Sequence, residues 1–390
     1  MITMDMVFSD KNIFKAIRRI EARNASPGLD QIKGNEIRMY WIQNRKRIMS
    51  ELKSAKYVPV PLRNVLIEKP GKEEKRQILI YSVVDQMLQH CIRFELERYF
   101  IPLFHPDSYG FISGKNTGDA LEKCIDYMKL GRLYVVDADI RKCFDNIQHY
   151  LIKSILKGVV DDEVLYIIIK FIKNPVLIKE RLIMRKKGLP QGSCISPVLA
   201  NAVLNKLDWF LNTQKIEFVR YADDMVLFCK NEDMAYESKK VLEEYLCKLK
   251  LELNLEKTNV VRATELEYLG YSFKVHNSCC VFTISKDKKE KMLSRMERCI
   301  KDNDDSLMVM LDRIGRFNRG WLEYYGRVNR NDMKSFLEYA EKLQIELILN
   351  KIKINSDKYA DVTESVIMSK EYVNLSSWYE EMIKRKEARK

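Results

Sequence analysis

Hydrophobic and polar positions change their spacing several times along this chain, and the changes mark out its elements. Helical spacing runs through residues 11–60, with a break at Asn24-Ala25-Ser26-Pro27-Gly28. Two short strand-like runs follow, 63–67 and 76–80, separated by the charged turn Glu68-Lys69-Pro70-Gly71-Lys72. The pattern then predicts an amphipathic helix at 83–100, a helix at 117–130, a strand at 132–138 and helices at 149–157 and 161–173. A strand pair near 175–185, a helix at 195–212, a hairpin at 216–230, a helix at 233–251 and strands at 257–262 and 267–275 complete the alternation. From about residue 285 the spacing is helical throughout. Helices alternating with antiparallel hairpins predict an α+β sheet with helices on one face. An all-α domain is expected after a boundary near 277–286.

Composition narrows the classes. With 390 residues and 46% hydrophobic positions, the chain is long enough for two or three packed units and is no disordered scaffold. A net charge of +13 favours a polyanionic partner, nucleic acid before an acidic membrane surface. No apolar run approaches the ~18 residues that span a bilayer, and the first residues carry no secretory pattern. Nine cysteines without Cys-x-x-Cys spacing argue against a zinc site or a disulfide framework, so a cytoplasmic setting is expected.

The candidate chemistry centres on Tyr221-Ala222-Asp223-Asp224, two adjacent acids between two apolar, β-branched runs. Alone, this is as readily a polar hairpin turn. A third acid changes the picture: Val136-Asp137-Ala138-Asp139-Ile140 ends another apolar strand. Three carboxylates on neighbouring strand ends gather negative charge that calls for cations, the way a protein holds two magnesium ions for in-line attack on a phosphate. Asp137 and Asp145 read as surface acids and helix caps as readily as in any other role. Gly188-Leu189-Pro190-Gln191-Gly192-Ser193 puts glycines on both sides of Pro-Gln, where backbone can pass close to a ligand, or where a loop simply joins strand to helix. Lys69 and Arg76 flank the Pro-Gly turn and can face one anion, although basic turns are common. Arg313, Arg316 and Arg319 flank an aromatic stripe, which suits a duplex-tracking helix and an ordinary bundle helix alike.

Taken in order, these segments resemble reverse transcriptases, most closely the bacterial group II intron-encoded kind, over residues 20–330. The resemblance rests on Pro27-Gly28-Leu29-Asp30, Lys69-Pro70-Gly71, Asp107-Ser108-Tyr109-Gly110-Phe111, the segment Asp139 to Asp145, Pro190-Gln191-Gly192 with Pro197 to Asn201, Arg220 to Asp224, and Tyr268-Leu269-Gly270. Phe317-Asn318-Arg319-Gly320-Trp321 with Tyr324-Tyr325-Gly326 looks like the start of a thumb, or maturase, domain. The resemblance implies a right-hand polymerase: fingers over 1–117, a palm with a ferredoxin-like antiparallel sheet over 118–280, and a helical thumb over 281–390. By carry-over, Asp139, Asp223 and Asp224 bind two Mg2+ ions, with Mn2+ as an alternative. Lys69 and Arg76 grip the incoming dNTP, Phe144 excludes a ribose 2′-hydroxyl, Gln191 and Gly192 line the nucleotide pocket, and Lys257 protonates pyrophosphate. Tyr268, Leu269 and Gly270 hold the primer end, with Arg313, Arg316 and Arg319 along the primer–template duplex.

The pattern departs from the family in places. Ile112-Ser113 stands where mobile intron enzymes carry Arg-Pro, Ser193-Cys194 follows Gln191-Gly192, and no zinc-like cysteine pairs follow Gly326. The DNA-binding and endonuclease extensions of mobile introns are therefore expected to be absent. Three uses remain open: RNA-directed DNA synthesis for an intron or stand-alone element, the same chemistry on a dedicated structured RNA in antiphage defence, and an RNA-folding maturase. Oligomeric state has no sequence signal.

Overall fold

The computed structural model describes residues 1–23, 25–68, 75–276, 279–301, 307–328, 330–354 and 375–387. The chain divides into two compact units, Met1–Cys124 with Tyr134–Val260, and Ile125–Leu133 with Val261–Lys390. The strands in chain order are β1 (Leu62–Glu68), β2 (Lys75–Ile80), β3 (Tyr134–Asp139), β4 (Val176–Ile178), β5 (Arg181–Ile183), β6 (Glu217–Tyr221), β7 (Asp224–Cys229), β8 (Asn259–Arg262), β9 (Glu267–Tyr268), β10 (Tyr271–His276) and β11 (Cys279–Ile284).

In the first unit, β1 and β2 pair antiparallel with Arg63 opposite Ile80 and Glu68 opposite Lys75. β1 also runs parallel to β4, and β4 turns back on β5, giving the order β2-β1-β4-β5. The predicted helix at 83–100 is Val83–Phe100, but it is not amphipathic in its setting: 13 of its 18 residues are buried. Its polar residues escape a spacing argument because they find dedicated partners. Asn12 Nδ2 donates to Glu95 Oε1 (2.8 Å), and Arg98 Nη1 donates to Glu95 Oε2 (2.9 Å).

Asp85 is the most consequential of these buried groups. Ser82 caps the helix by accepting from the Asp85 N–H (3.0 Å), while the Asp85 carboxylate accepts from Tyr57 Oη (2.8 Å), Ser82 Oγ (2.8 Å) and Val60 N (3.0 Å). Burial outweighs these donors and pushes the carboxyl up to about 7. A raised carboxyl pKa means that the folded state binds its proton more tightly than the unfolded chain does. The contribution of Asp85 to stability is therefore present near pH 4 and is lost as pH rises towards about 7. Asp85→Asn is expected to flatten this pH dependence, as read by urea unfolding at pH 5 and pH 8.

A second four-stranded sheet has the order β6-β7-β3-β8. β3 and β7 pair antiparallel from Tyr134 opposite Cys229 to Asp139 opposite Asp224, and β6 pairs with β7 from Glu217 opposite Phe228 to Tyr221 opposite Asp224. Helix Ser196–Thr213 precedes the β6–β7 hairpin and helix Glu232–Lys248 links it to β8, so the central strands are the first and third of the four, as in a ferredoxin-like sheet. Pro197 opens the first of these helices, and Asn231 caps the second by accepting from Met234 N. The inward residues Val136, Ala138, Met225 and Leu227 are buried in the core that these helices cover.

The second unit holds a three-stranded sheet, order β11-β10-β9, and helices Lys286–Lys301, Leu307–Tyr325, Arg330–Ile354 and Leu375–Glu387. Two expectations change here. The strand expected at 267–275 is broken, because Leu269 (φ +51°) and Gly270 (φ +80°) turn the chain between the paired residues Tyr268 and Tyr271. An additional strand, β11, pairs with β10 from Tyr271 opposite Ile284 to Val275 opposite Cys280. Its alternation is short, and Cys279-Cys280 dilutes it, which is why its periodicity does not stand out in the sequence.

Candidate active site

The acids meet at one end of the β6-β7-β3-β8 sheet for a reason of register. Asp139 closes β3 and Asp224 opens β7, and the ladder sets them directly opposite one another. Asp223 occupies the two-residue turn between β6 and β7, where Ala222 takes a left-handed φ of +61°. The Asp223 carbonyl accepts from the Ile140 N–H (3.4 Å), tying the turn to the end of β3. Asp137 lies two residues before Asp139 and so on the same face of β3. Burial pushes the Asp224 carboxyl up to about 7, with Asp137, Asp223 and Asp139 adding to the rise. Burial also raises Asp223, and burial with Asp139 beside it raises Asp137 to about 6. The sheet thus concentrates carboxylates whose ionised forms oppose one another.

The segment after helix Glu232–Lys248 supplies the counterweight. Asn254 Nδ2 donates to Asp139 Oδ2 (2.9 Å), its N–H donates to the Asp139 carbonyl (2.8 Å), and Lys257 Nζ stands 3.4 Å from the same carboxylate oxygen. Thr258 Oγ1 accepts from the Asp139 N–H (3.4 Å). Lys257 therefore reaches the acid cluster. Asn254 gives no signal in the sequence, since an asparagine three residues from a lysine carries no pattern of its own.

Behind the turn sits a clamp whose partners only the fold brings together. Arg220 is fully buried; its Nε donates to Asp208 Oδ1 (2.7 Å) and its Nη2 to Asp208 Oδ2, a two-pronged ion pair. Arg220 Nη1 donates to the Ala222 carbonyl and to Asn201 Oδ1, both at 2.9 Å. Asn201 Nδ2 in turn donates to the Gly110 carbonyl (2.8 Å), and Ser108 Oγ donates to Asp208 Oδ2 (2.7 Å). Gly110 lies so close to the turn that a Cβ there would sit 2.2 Å from Ala222 N. Helix Ser196–Thr213 and the 107–110 segment together fix the backbone that carries Asp223.

Phe144 sits in the one-turn helix Cys143–Asn146, entered through Lys142 at φ +46°. The glycine-flanked loop docks on it: Leu189 N donates to the Phe144 carbonyl (2.6 Å) and Gly188 N to the Ile147 carbonyl (2.8 Å). Further along, the Gln191 carbonyl accepts from Leu79 N (2.9 Å), which places the loop across β2. Gly192 has φ +118°, and a Cβ there would lie 2.2 Å from the Leu79 carbonyl oxygen. Gly192→Ala combines strain with a backbone clash and is expected to cost about 1–3 kcal/mol in urea unfolding while displacing the loop. Arg76 belongs to β2 three residues before Leu79; Lys69 lies outside the described residues.

The remaining candidates belong to the second unit. Tyr268 is buried, and the Leu269 carbonyl accepts from Tyr324 Oη (2.8 Å). Tyr271 Oη donates to the Tyr324 carbonyl, and a Cβ on Gly270 would lie 2.8 Å from Tyr325 Oη. The β9–β10 turn is thus built against the aromatic helix Leu307–Tyr325. The three arginines divide: Arg313 donates to the Cys299 carbonyl (3.0 and 3.2 Å), Arg316 pairs with Asp312 (2.9 Å) at the surface, and the Arg319 guanidinium lies over the Trp378 ring (5.5 Å).

Among the described residues, no three His, Cys, Asp or Glu side chains form a ready-made ion cage. The donors present are hard carboxylate oxygens, which suit magnesium, an ion commonly held by one or two carboxylates together with substrate phosphates. The acids of β3 and β7 fit that description; burial first, and the neighbouring acids after it, raise Asp224 and Asp137, and a bound cation would offset both.

The reverse transcriptase (RNA-dependent DNA polymerase) family model matches residues 67–273, and the chain belongs to that family. The group II intron-encoded protein LtrA of Lactococcus lactis subsp. cremoris is 25% identical over 371 residues, covering 77% of this chain and 62% of LtrA. The protein YkfC of Escherichia coli is 25% identical, covering 64% of this chain and 75% of its own length. A 91 kDa protein encoded in the cob intron of Schizosaccharomyces pombe is 34% identical over 44% of this chain and 21% of its own. The chain therefore spans about three fifths of the length of LtrA. Among solved structures, a telomerase from Candida albicans with a fragment of telomeric RNA aligns over 80% of this chain and 63% of its own, at 14% identity and a TM-score of 0.45.

Proposed function

We propose that this chain is an RNA-directed DNA polymerase that extends a DNA or RNA primer with dNTPs on an RNA template. The observation that carries the reading is the register of β3 against β7, which sets Asp139 opposite Asp224 with Asp223 in the adjoining turn. Asp139, Asp223 and Asp224 would hold two divalent ions, Mg2+ or Mn2+, which when bound acidify the primer 3′-hydroxyl and neutralise the departing pyrophosphate. The chain's own part is placement. Lys257 and Asn254 orient the Asp139 carboxylate through Oδ2, and the Lys257 ammonium is a proton donor held at that end of the sheet. Phe144, at the turn that follows Asp139, would test the sugar for a 2′-hydroxyl, and Gln191 and Gly192, on the loop docked against Phe144 and β2, would line the nucleotide pocket. Lys69 and Arg76 meet the triphosphate. Tyr268, Leu269 and Gly270 hold the primer end, and Arg316, paired only at the surface, follows the duplex backbone with Arg313 and Arg319 beside it.

The net charge of +13 supports a nucleic-acid partner, and no described helix is long and apolar enough to cross a membrane. Eight of the nine cysteines are free thiols, which suits a reducing cytoplasm. Intron-encoded proteins among the relatives favour an intron or intron-like RNA as template. Purified protein given an annealed primer on RNA, dNTPs and Mg2+ is expected to lengthen the primer, and EDTA is expected to stop it. Tight RNA binding with no extension in either Mg2+ or Mn2+ would remove the polymerase reading and favour an RNA-folding maturase.

A further inference from the structure

Phe111 is a bulky residue in a conformation that bulky residues avoid. Its φ is +59°, yet it is 59% exposed, so no core packing rewards the strain. What holds it there is its surroundings. The preceding Gly110 is pressed against the Tyr221–Ala222 backbone at 2.2–2.9 Å from where a Cβ would be, and its carbonyl is pinned by Asn201 Nδ2 (2.8 Å). The following Ile112 is buried. Between these two anchors the chain has one way to pass, and it projects the Phe111 ring outward. There the ring meets Phe144 edge to face, with centroids 6.4 Å apart and planes at 82°.

We propose that Phe111 is a positioning residue for Phe144, and that the two rings act together to select dNTP over NTP. The inference rests on reading Phe144 as the residue that meets the nucleotide sugar. A single half-buried ring on a one-turn helix can tilt away from a ribose 2′-hydroxyl. A second ring set against it, on a loop locked to the turn that carries Asp223, removes that freedom. The same anchoring couples sugar selection to the catalytic turn, because Asn201 bonds both to Gly110 and to Arg220, which holds Ala222. The strain at Phe111 is then the cost of aiming a ring that packing alone would not aim.

The test is the ratio of kcat/KM for dNTP over NTP in primer extension on RNA, for wild type, Phe111→Gly, Phe111→Tyr, Phe144→Ala and the Phe111→Gly/Phe144→Ala double variant. Phe111→Gly is expected to lower the ratio up to about tenfold, the scale of one edge-to-face aromatic contact. The loss should appear mainly as a lower KM for NTP. Phe111→Tyr should restore most of the ratio. Glycine relieves the left-handed strain, so the Tm of Phe111→Gly should not fall, which separates the effect from misfolding. In the double variant, the Phe111 change should add nothing to Phe144→Ala, since there is no ring left to position. An unchanged ratio in Phe111→Gly overturns the proposal, and so does a loss that adds fully to that of Phe144→Ala. A wild-type protein that extends no primer overturns the polymerase reading itself, a different result from an active polymerase with an unchanged ratio.

Discussion

Replacing Asp223 and Asp224 together by alanine is expected to lower DNA synthesis by about 10^3-fold or more, while the protein remains folded and becomes no less stable. The loss follows from removing ligands for ions that would supply several kcal/mol of transition-state stabilisation. The retained stability follows from the same geometry. Burial and the neighbouring Asp137 push Asp224 up to about 7, and burial also raises Asp223, so the folded state carries these acids at a cost. Removing them relieves it, a trade between function and stability usual at charged sites. Primer extension and thermal unfolding of the same preparation read both halves. A double variant that unfolds well below wild type would mean that the acids hold the hairpin together.

Arg220→Met is expected to cost about 3–5 kcal/mol, because it leaves Asp208 buried and without its counter-charge. Arg220→Met combined with Asp208→Leu should recover much of that stability, since neither charge then needs a partner. Activity should not return with it. The Ala222 carbonyl, held by Arg220 Nη1 at 2.9 Å, is released in both variants, and with it the turn that carries Asp223. Urea unfolding separates the first effect and primer extension the second. A double variant that is both stable and fully active would show the clamp to be structural only.

Much of this site is legible in the sequence, for physical reasons that differ from residue to residue. The acids stand out because two of them end or begin apolar strands, and a period-2 pattern places such residues at a sheet edge without any knowledge of the partner strand. That Asp139 faces Asp224 rather than Met225 or Asp223 is a matter of register, which only the ladder decides. Asn254 and Asp208 are silent in the sequence, since single polar residues acquire meaning from what they touch. Arg220 is harder still: arginine is almost never fully buried, so composition argues against the place it occupies. The β9–β10 turn shows the opposite failure. Leu269-Gly270 interrupts a run that otherwise reads as one strand, and a leucine at positive φ is not a position that strand patterns anticipate. Helix Val83–Phe100 reads as amphipathic because Asp85 and Glu95 are charged, yet both are buried with dedicated partners.

The first experiment to make is sequencing of the nucleic acid that co-purifies with the wild-type chain and with its Asp223→Ala/Asp224→Ala variant. The expected result is an enriched RNA in both preparations, with complementary DNA only in the wild type. That outcome would tie template copying to the two hairpin acids and identify the RNA at the same time. RNA bound equally by both proteins, with DNA in neither, would contradict template copying and leave a protein that holds RNA without reading it into DNA.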